Sequence, residues 1–384
     1  MKILHLADLH IGKKVNGYSM IEDQKYIFDQ VYKLIEDKKI KIVLIAGDIY
    51  DRSIPSEEAT ELLDEFLSHL INKYKVKVVA ISGNHDSSTR LNFSSKILEK
   101  QGLYITGEYK KLVNKVSIDN IDFYLMPYVD PSTIRRKYKD ILEKRELKIS
   151  THDNAMKFLT DEIKKEIDKD KINIALYHGF VIGKNEDPEK IEKEDSVKVL
   201  SVGGKEAVKE EYFLDFDYTA LGHLHGSRKV KSDKVRYSGS PIKYSFSEID
   251  QNKKFLIIDI DKDKLIIDDT NIIKQKYEMV ELTGTLKEVL KADIPKDAYL
   301  KIILTEQTLD AMNKLRVEYS QIMELQINIA TNESIKRKYT SQDINKKNPL
   351  VLFTELSESV GVTLEEDESK VLEEVIDSLV GGKR

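Results

Sequence analysis

Short apolar runs, most of which end in an aspartate, asparagine or histidine, are the feature that most constrains how this chain folds. The runs are rich in β-branched residues and alternate with amphipathic stretches, so they predict strands and helices respectively. Strands are predicted at Lys2–Ala7, Lys41–Ala46, Val76–Ser82, Phe123–Met126, Asn173–Tyr177 and Tyr218–Leu221, and helices at Asp23–Asp37, Ser56–Tyr74 and Ser94–Lys100. This alternation predicts an α/β layered domain, to which Lys253–Ile273 adds one or two later strands.

The polar residues that follow these runs are of metal-ligand types. They are Asp8, His10, Asp48, Asn84, His178, His223 and His225. Because sites in α/β sheets gather outside the carboxyl ends of strands, we expect these side chains to converge. Asp8 and His10 are expected to lie in an extended segment, where alternate side chains point the same way and can address one ion.

Two carboxylates, one amide oxygen and four imidazoles are too many donors for one ion and fit two ions that share a ligand. Asp48 is the expected bridge, because a carboxylate has two oxygens. Two ions about 3.5–4 Å apart can clamp the attacking and leaving oxygens of an in-line phosphoryl displacement and lower the pKa of a bridging water. The neighbouring glycines are expected to let the backbone turn sharply there. The sequence thus predicts a two-metal phosphoesterase.

His85 and Asp86 complete the motif that begins at Gly83 but are not among the seven donors. We expect His85 to contact the phosphate or to help protonate the leaving oxygen. Asp86 is expected to orient the His85 ring. This pair is therefore the predicted catalytic pair beside the metal ligands.

The ordered series D-x-H, G-D-x-x-D, G-N-H-D, H-G and G-H-x-H is far more specific than any one of its motifs. In this series the chain resembles the calcineurin-like metallophosphoesterases. It resembles more closely the SbcD family of bacterial nuclease subunits, through Leu4–His10, Gly47–Asp51, Gly83–Ser87, Tyr218–His225 and Ser238–Phe246. The resemblance implies a β-sandwich flanked by helices, a small α+β capping domain and a helical tail.

The resemblance also implies two Mn2+ ions, although His, Asp and Asn donors leave other divalent metals such as Mg2+, Fe2+ or Zn2+ open. It implies one ion held by Asp8, His10, Asp48 and His225, and the other by Asp48, Asn84, His178 and His223. Asp51 departs from archaeal and eukaryotic members, which carry a histidine there, and follows the bacterial pattern. Two roles stay open for Asp51: support of the metals, or a turn or helix cap.

The remaining histidines are expected to be structural or exposed. His5 lies on the first predicted strand and is expected to form a structural hydrogen bond near the site. His69, in a charged amphipathic helix, and His152, at a polar helix start, are expected at the surface.

The chain is predicted to divide four ways. Residues 1–275 form the nuclease domain, 276–333 the capping and DNA-binding domain, 334–349 a linker and 350–384 a helical tail. The tail carries the apolar candidates for partner docking, Leu352, Phe353, Leu356, Val371, Leu372, Val375, Ile376 and Leu379. These residues pack either on the cap or on a partner. The resemblance favours a partner, the ATPase SbcC.

The net charge of −5 is not that of a nucleic-acid binder, and the acidic excess belongs to the tail. DNA contacts are therefore expected from local basic side chains, with Lys13 and Arg90 as candidates, although a solvated face is the alternative for any basic cluster. The chain has no cysteine, which excludes disulfides and thiolate sites. Asp8 interrupts the first apolar run, and no stretch has a membrane helix's length, so a cytoplasmic protein is expected.

The leading functional hypothesis is a manganese-dependent DNA nuclease. It would act as a double-strand exonuclease and a single-strand and hairpin endonuclease, with SbcC, in DNA repair, replication and recombination. The alternatives are a phosphoesterase acting on a small-molecule or protein phosphate ester, and a non-catalytic scaffold on the same fold. The family further implies a homodimer, with contacts from the helices after Pro55 and around Ser94–Lys100.

Overall fold

A computed structural model describes residues 1–188, 190–191, 206–262, 264–328, 368 and 372. The chain divides into two compact units, Met1–Asn328 and Ile329–Arg384. In the second unit only Glu368 and Leu372 are described, both helical. The predicted linker and the other candidate docking residues, Leu352, Phe353, Leu356, Val371, Val375, Ile376 and Leu379, lie outside the described residues.

Each of the six predicted strands is present, with its ends within two residues of the predicted positions, and the described residues also contain strands that were not predicted. The strands are β1 (Lys2–Leu6), β2 (Lys14–Val15), β3 (Tyr18–Ser19), β4 (Ile42–Ala46), β5 (Lys77–Ile81), β6 (Leu103–Thr106), β7 (Lys115–Ile118), β8 (Ile121–Met126), β9 (Ile172–His178), β10 (Val181–Ile182), β11 (Val208–Lys209), β12 (Tyr218–Gly222), β13 (Arg228–Lys229), β14 (Val235–Tyr237), β15 (Lys254–Asp261), β16 (Lys264–Ile272), β17 (Met279–Gly284), β18 (Tyr299–Leu304) and β19 (Ile322–Ile327).

The helices lie mainly between these strands. They are α1 (Ile21–Lys38), α2 (Glu57–Ser68), α3 (Ser88–Leu91), α4 (Ser95–Leu98), α5 (Pro131–Lys137), α6 (Lys139–Lys144), α7 (His152–Lys164), α8 (Leu286–Val289) and α9 (Ala311–Glu318). The helix predicted at Ser56–Tyr74 is α2 followed by a π-helical turn, and the one predicted at Ser94–Lys100 is α4 followed by a 3-10 turn. Ser56 caps α2, its side chain accepting a hydrogen bond from the Ala59 amide.

Two six-stranded sheets form the body of the first unit. The first has the order β16-β15-β1-β4-β5-β6, and the second β13-β14-β12-β9-β8-β7. In the first, β1, β4, β5 and β6 run parallel, and in the second β14, β12, β9 and β8 do. Lys253–Ile273 forms two antiparallel strands at one edge, as predicted.

Alternation along the central strands assigns their side chains to separate cores. Val43 and Ile45 of β4 join a core with the helices α1 and α2, whereas Ile42 and Leu44 join a second core shared with strands of the other sheet. Strand β9 repeats the pattern, and its other face meets α7. The predicted α/β class is confirmed: two sheets pack face to face, with helices on both outer faces.

The region after residue 276 has its own small sheet and core. Strands β17, β18 and β19 run parallel, with α8 and α9 as crossovers, and Leu300, Ile302 and Leu315 are fully buried there. The region thus contains strands and helices, as predicted for a small α+β domain. Its boundaries at 276 and 333 stay a prediction, because the compact unit extends from Met1 to Asn328.

A buried hydrogen bond joins this cap to α1. The Tyr299 hydroxyl donates to Asp23 Oδ2 at 2.8 Å, and the Tyr18 hydroxyl donates to the Ile322 carbonyl at 3.1 Å. Asp23 is buried, and burial raises the pKa of its carboxyl group. Tyr299 therefore provides a hydrogen-bond donor for a buried carboxyl group in the contact between the two regions.

Replacing Tyr299 with phenylalanine should destabilise the first unit by about 1–3 kcal/mol, because the Asp23 carboxylate loses its buried donor. The loss should be larger at neutral pH than in acid, since the ionised carboxyl is the form that burial disfavours. Urea unfolding of the Tyr299→Phe variant measures the change. Tyr26→Phe, whose side chain is partly exposed, is the control and should be neutral; equal stability of the two variants would contradict this role of Tyr299.

Candidate metal centre

The seven predicted ligands meet at the carboxyl ends of the central strands of both sheets. Asp8 follows β1, Asp48 follows β4 and Asn84 follows β5, while His178 ends β9 and His223 follows β12. Because these strands run parallel within their sheets, their following loops emerge on one side. The predicted convergence is therefore present in the structure.

The backbone at four of these residues is not extended. Asp8, His10, Asp48 and His223 have φ values of 53°, 43°, 48° and 108°. The prediction that Asp8 and His10 share a face of an extended segment is wrong, since β1 ends at Leu6 and the chain then turns through left-handed conformations. Such conformations cost a non-glycine residue about 1–3 kcal/mol each and persist where the surroundings impose them. The turns, rather than strand alternation, aim Asp8 and His10 into the same space.

One group of ligand atoms comprises Asp8, His10 and His225, which lie within 4.8 Å of one another. His10 Nε2 is 3.1 Å from His225 Nε2. At this distance the two lone pairs would repel each other if neither nitrogen carried a hydrogen. Either one nitrogen carries a proton that it donates to the other, or a cation lies beside both of them.

A second group lies beside the first. The Asn84 side-chain oxygen is 3.0 Å from His178 Nε2 and 3.3 Å from His223 Nδ1. His178 Nε2 is also 3.4 Å from Asp48 Oδ2. These are the four residues that the resemblance implied for one ion, and the structure brings them together.

Asp48 lies between the two groups. Its Oδ2 is 3.4 Å from His178 Nε2 and 3.8 Å from His10 Nε2, whereas its Oδ1 accepts a hydrogen bond of 2.9 Å from the His85 amide. The sequence suggested a bridge through two oxygens. In the structure one oxygen faces both groups and the backbone uses the other.

The electrostatics of this cluster suit bound cations. Burial raises the pKa of Asp8 to about 7, while the pKa of His178, which burial alone would lower, is raised to about 9 chiefly by Asp48. Burial would also raise the pKa of Asp48, but His178, His10 and His85 lower it below its usual range. The buried His223 Nε2 has no hydrogen-bond partner among the described residues. Buried carboxylates and imidazoles with an unpaired nitrogen fit divalent metal ions, which supply the positive charge that protons otherwise provide.

His85 lies at the open side of the cluster, with its side chain 41% exposed. Its Nδ1 donates to the Asp51 carbonyl at 2.9 Å, which leaves Nε2 facing Asp48 Oδ2 at 4.0 Å. The ring packs edge-on against His10, 4.8 Å between centroids. Its exposure and its free nitrogen fit the predicted contact with a substrate phosphate.

Asp86 does not orient His85, so that prediction is wrong. The Asp86 carboxylate accepts hydrogen bonds from the amides of Ile49, Tyr50 and Gly83, at 3.0, 2.8 and 2.9 Å. The side chain ties the loop after β5 to the loop after β4. The backbone carbonyl of Asp51 takes the orienting role instead.

Asp51 and Lys13 support the cluster from one side. Lys13 Nζ donates to Asp51 Oδ1 at 2.7 Å, and that oxygen lies 3.6 Å from His10 Nδ1. Of the two roles left open for Asp51, the contacts favour support of the metal ligands. Arg90, the other candidate DNA contact, is exposed on α3.

Several supporting residues were not found from the sequence. Gln24 on α1 donates to the His10 carbonyl at 2.8 Å, and the Tyr244 hydroxyl donates to the Leu9 carbonyl. Glu248 Oε1 lies 3.1 Å from His225 Nδ1. Tyr244 belongs to the stretch Ser238–Phe246 that carries part of the resemblance, but no spacing rule connects Gln24 or Glu248 with the motifs.

The histidines outside the motifs are only partly as expected. His5 is buried, with Nδ1 3.0 Å from the Tyr218 hydroxyl and Nε2 3.1 Å from the Leu221 carbonyl, so its structural role is confirmed. His69 and His152 are half-buried rather than exposed. His69 Nδ1 is 3.3 Å from the Tyr32 hydroxyl, and His152 packs on Tyr128, because each lies on the inner side of its helix.

Gly83 lets Asp48 take its position. A Cβ atom at residue 83 would lie 2.1 Å from Asp48 Oδ1 and 2.3 Å from the Asp48 amide nitrogen. Gly83→Ala should therefore displace the carboxylate and weaken metal binding by about 10–100-fold. Isothermal titration with Mn2+ measures this. Gly284→Ala, where a Cβ would meet only the flexible Glu288 side chain, should bind as the wild type; an unchanged Gly83→Ala would show that Asp48 is not a ligand.

Comparison with known proteins agrees with this geometry. Residues 1–227 match the family model of the calcineurin-like phosphoesterases. The chain belongs to this family. It is also 33% identical, over 330 residues that cover 85% of each chain, to the SbcD component of the nuclease SbcCD from Staphylococcus epidermidis, which places it in the SbcD group and confirms both resemblances seen in the sequence.

Two solved structures show a distant likeness to this chain. A dimetal phosphatase from Danio rerio is 13% identical, with 72% of this chain and 99% of that chain covered and a TM-score of 0.42. The phosphoesterase Yfce from E. coli is 11% identical, with 72% and 98% covered and a TM-score of 0.28.

Membership of the family establishes the general chemistry. The chain is a metallophosphoesterase, an ester hydrolase of the nuclease and phosphoesterase type, with a divalent-metal centre for which the Asp and His clusters are the candidate sites. Within the described residues, no helix combines the length and apolar character that crossing a membrane requires.

Proposed function

We propose that this chain is a manganese-dependent DNA nuclease that acts as a double-strand exonuclease and as an endonuclease on single strands and hairpins. The observation that carries the proposal is Asp48 Oδ2, which faces imidazoles of two adjacent ligand groups at 3.4 and 3.8 Å. A shared ligand between two groups is the arrangement that two-metal phosphodiester hydrolysis needs.

In this proposal Asp8, His10, Asp48 and His225 hold one Mn2+, and Asp48, Asn84, His178 and His223 hold the other. When bound, the ions neutralise charge on the phosphate oxygens and lower the pKa of water. The protein orients the ligands: the Ala46 carbonyl, 2.8 Å from His178 Nδ1, directs the other ring nitrogen toward Asp48. The His223 amide holds Asp8 Oδ1 at 2.9 Å.

His85 is the proposed catalytic residue. The Asp51 carbonyl fixes its ring, and its Nε2 faces the cluster from the solvent side. From there it contacts a phosphate oxygen or, when both nitrogens carry protons, donates one to the leaving oxygen. Asp86 contributes to this site only by holding the two loops together.

DNA is the proposed substrate because the relative that covers most of this chain is part of a nuclease. Lys13, beside the cluster, and the exposed Arg90 are the proposed phosphate contacts. The ATPase SbcC is the proposed partner, by analogy with the SbcCD complex in that relative's name. Its proposed docking surface is the apolar part of the tail, 350–384, in which Leu372 is helical and half-buried.

A homodimer is proposed through the region of α2 to α4. Three apolar side chains are exposed there: Ile54 at 70%, Phe93 at 80% and Ile97 at 68%. Ser53 and Pro55, on either side of Ile54, line the same cavity as Phe93, and large apolar side chains near one another at a surface are typical of protein contacts. These are the helices in which the family resemblance predicts the dimer contacts.

A cleavage assay tests the proposed function. The full-length chain, with and without its ATPase partner, is given a labelled linear duplex, a hairpin DNA and the dye bis(p-nitrophenyl) phosphate, with Mn2+, Mg2+ or Zn2+ in turn. Mn2+-dependent cleavage of both DNAs is expected. An Asp48→Asn preparation, purified in the same way, controls for contaminating nucleases. Hydrolysis of the dye without cleavage of DNA would favour a small-molecule or protein phosphoesterase, and inactivity on every substrate with metal bound would favour a scaffold.

A further inference from the structure

A buried ion pair lies directly behind the candidate ligand His225. Glu248 is 0% exposed and Lys253 is 3% exposed, and Lys253 Nζ lies 2.6 Å from Glu248 Oε2. Removing two charges from water is costly, and apolar residues of similar size often serve a fold equally well. Stability of the fold alone is therefore a weak explanation for burying this ion pair. The contacts of Glu248 and Lys253 with His225 suggest a role in the metal site instead.

Both charged groups contact His225. Glu248 Oε1 is 3.1 Å from His225 Nδ1, so the carboxylate accepts a hydrogen bond from the N–H of that nitrogen. Lys253 Nζ donates to the His225 carbonyl at 2.9 Å. Glu248 thus holds the imidazole ring of His225, and Lys253 holds its backbone.

The pair is itself fixed by further hydrogen bonds. Lys253 Nζ also lies 2.9 Å from Ser240 Oγ and 2.8 Å from Gln251 Oε1, so its three N–H groups are shared among four acceptors. The Tyr244 amide donates to Glu248 Oε2 at 3.3 Å. If either charged group turned away from His225, it would give up these hydrogen bonds while remaining buried, which is costly for a charge.

We propose that Glu248 and Lys253 are positioning residues for one metal ion: Glu248 sets the tautomer and orientation of His225, and Lys253 locks Glu248 and the His225 backbone in place. With the proton on Nδ1, the lone pair of Nε2 points to Asp8 and His10. A carboxylate behind a ligand imidazole also makes that ligand more basic. This inference rests on the proposed two-ion site and adds residues that lie outside all the motifs.

The consequence is asymmetric between the two ions. None of the hydrogen bonds given above for Glu248 and Lys253 ends on Asn84, His178 or His223. Loss of the pair should weaken the ion held with His225 by about 10–100-fold and leave the affinity of the other ion unchanged. A pair that served only the stability of the fold would affect both ions equally or neither.

The test is a Mn2+ titration of the full-length chain, followed by calorimetry and by electron paramagnetic resonance. Three proteins are compared: the wild type, Glu248→Gln, and the double variant Glu248→Leu/Lys253→Met. The double variant leaves no unpaired buried charge, so it should keep the fold, which thermal unfolding of the metal-free proteins checks. Glu248→Gln keeps an acceptor for His225 Nδ1 but not its charge, so it should lie between the other two.

The expected result is one native affinity and one reduced affinity in the double variant. The resonance of a coupled Mn2+ pair should then appear only at higher metal concentration than in the wild type. Two unchanged affinities in either folded variant would overturn the inference. A wild type that binds two Mn2+ ions but cuts no DNA would refute the proposed function alone, and a wild type that binds fewer than two would overturn both proposals.

Discussion

Replacing Asp48 with alanine is expected to abolish phosphodiester hydrolysis, lowering kcat/KM by at least about 1,000-fold, since loss of even one transition-state contact costs about 100- to 1,000-fold. Asp48 Oδ2 faces both ligand groups, so its removal should weaken both metal ions together. Mass spectrometry of bound manganese, with kcat/KM on a labelled duplex, measures the two effects.

Asp119→Ala is the matched control, because Asp119 lies in a surface turn between β7 and β8, where its carboxylate pairs with Lys77 at 3.6 Å. It should keep both manganese ions and the wild-type rate. If Asp48→Ala retained two ions, the shared-ligand arrangement would be wrong. If it retained activity, a different carboxylate, such as Asp8, would be the essential one.

Replacing His85 with alanine is expected to lower kcat by about 100- to 10,000-fold while manganese content stays at the wild-type level. The physical reason is position: His85 Nε2 is 4.0 Å from Asp48 Oδ2 and its side chain is 41% exposed, so it lies at the solvent side of the cluster, where a substrate would approach, rather than in its interior. Manganese stoichiometry and single-turnover cleavage on the same preparation separate binding from chemistry.

His69→Ala is the matched control. It also removes an imidazole, but from a half-buried histidine on the π-helical turn after α2 that is not one of the site residues. It should retain the wild-type rate. Loss of a manganese ion from His85→Ala would instead make His85 a ligand. A ring nitrogen of His85 lies within 4.8 Å of ligand atoms of His10 and Asp51. In that outcome, these three residues would together hold a metal ion.

The convergence of the ligands could be predicted from the sequence because it depends on topology. Apolar β-branched runs identify buried strands, and parallel strands deliver the residues that follow them to one edge of a sheet. Asp48, Asn84 and His178 could therefore be placed together without knowledge of a single distance. The order of the motifs indicated the family. The resemblance to that family then predicted which ligands hold each of the two ions.

The local geometry could not be predicted, since it depends on backbone turns that no periodicity records. The sequence predicts an extended segment for Asp8 and His10, but both residues have positive φ. The adjacency of Asp86 and His85 predicts a contact between their side chains, whereas the Asp86 carboxylate accepts hydrogen bonds from three amides on two loops. Neighbours in sequence are weak evidence for contact once the chain turns within two or three residues.

Contacts made by residues from distant parts of the chain could not be predicted from the sequence either. Glu248 and Lys253 resemble ordinary charged residues of a hydrated surface, and only the fold buries them behind His225. The same holds for Asp23 and Tyr299, which are separated by most of the chain and meet in one buried hydrogen bond. Contacts of this kind depend on tertiary packing. Because the two residues have no characteristic separation in the sequence, no sequence pattern predicts them.

Anomalous diffraction from a crystal grown with Mn2+ would reveal directly how many ions the cluster binds and which residues hold them. Two peaks are predicted, one bounded by Asp8, His10 and His225 and the other by Asn84, His178 and His223, with Asp48 touching both. A single peak, or manganese bound away from Asp48, would contradict the account.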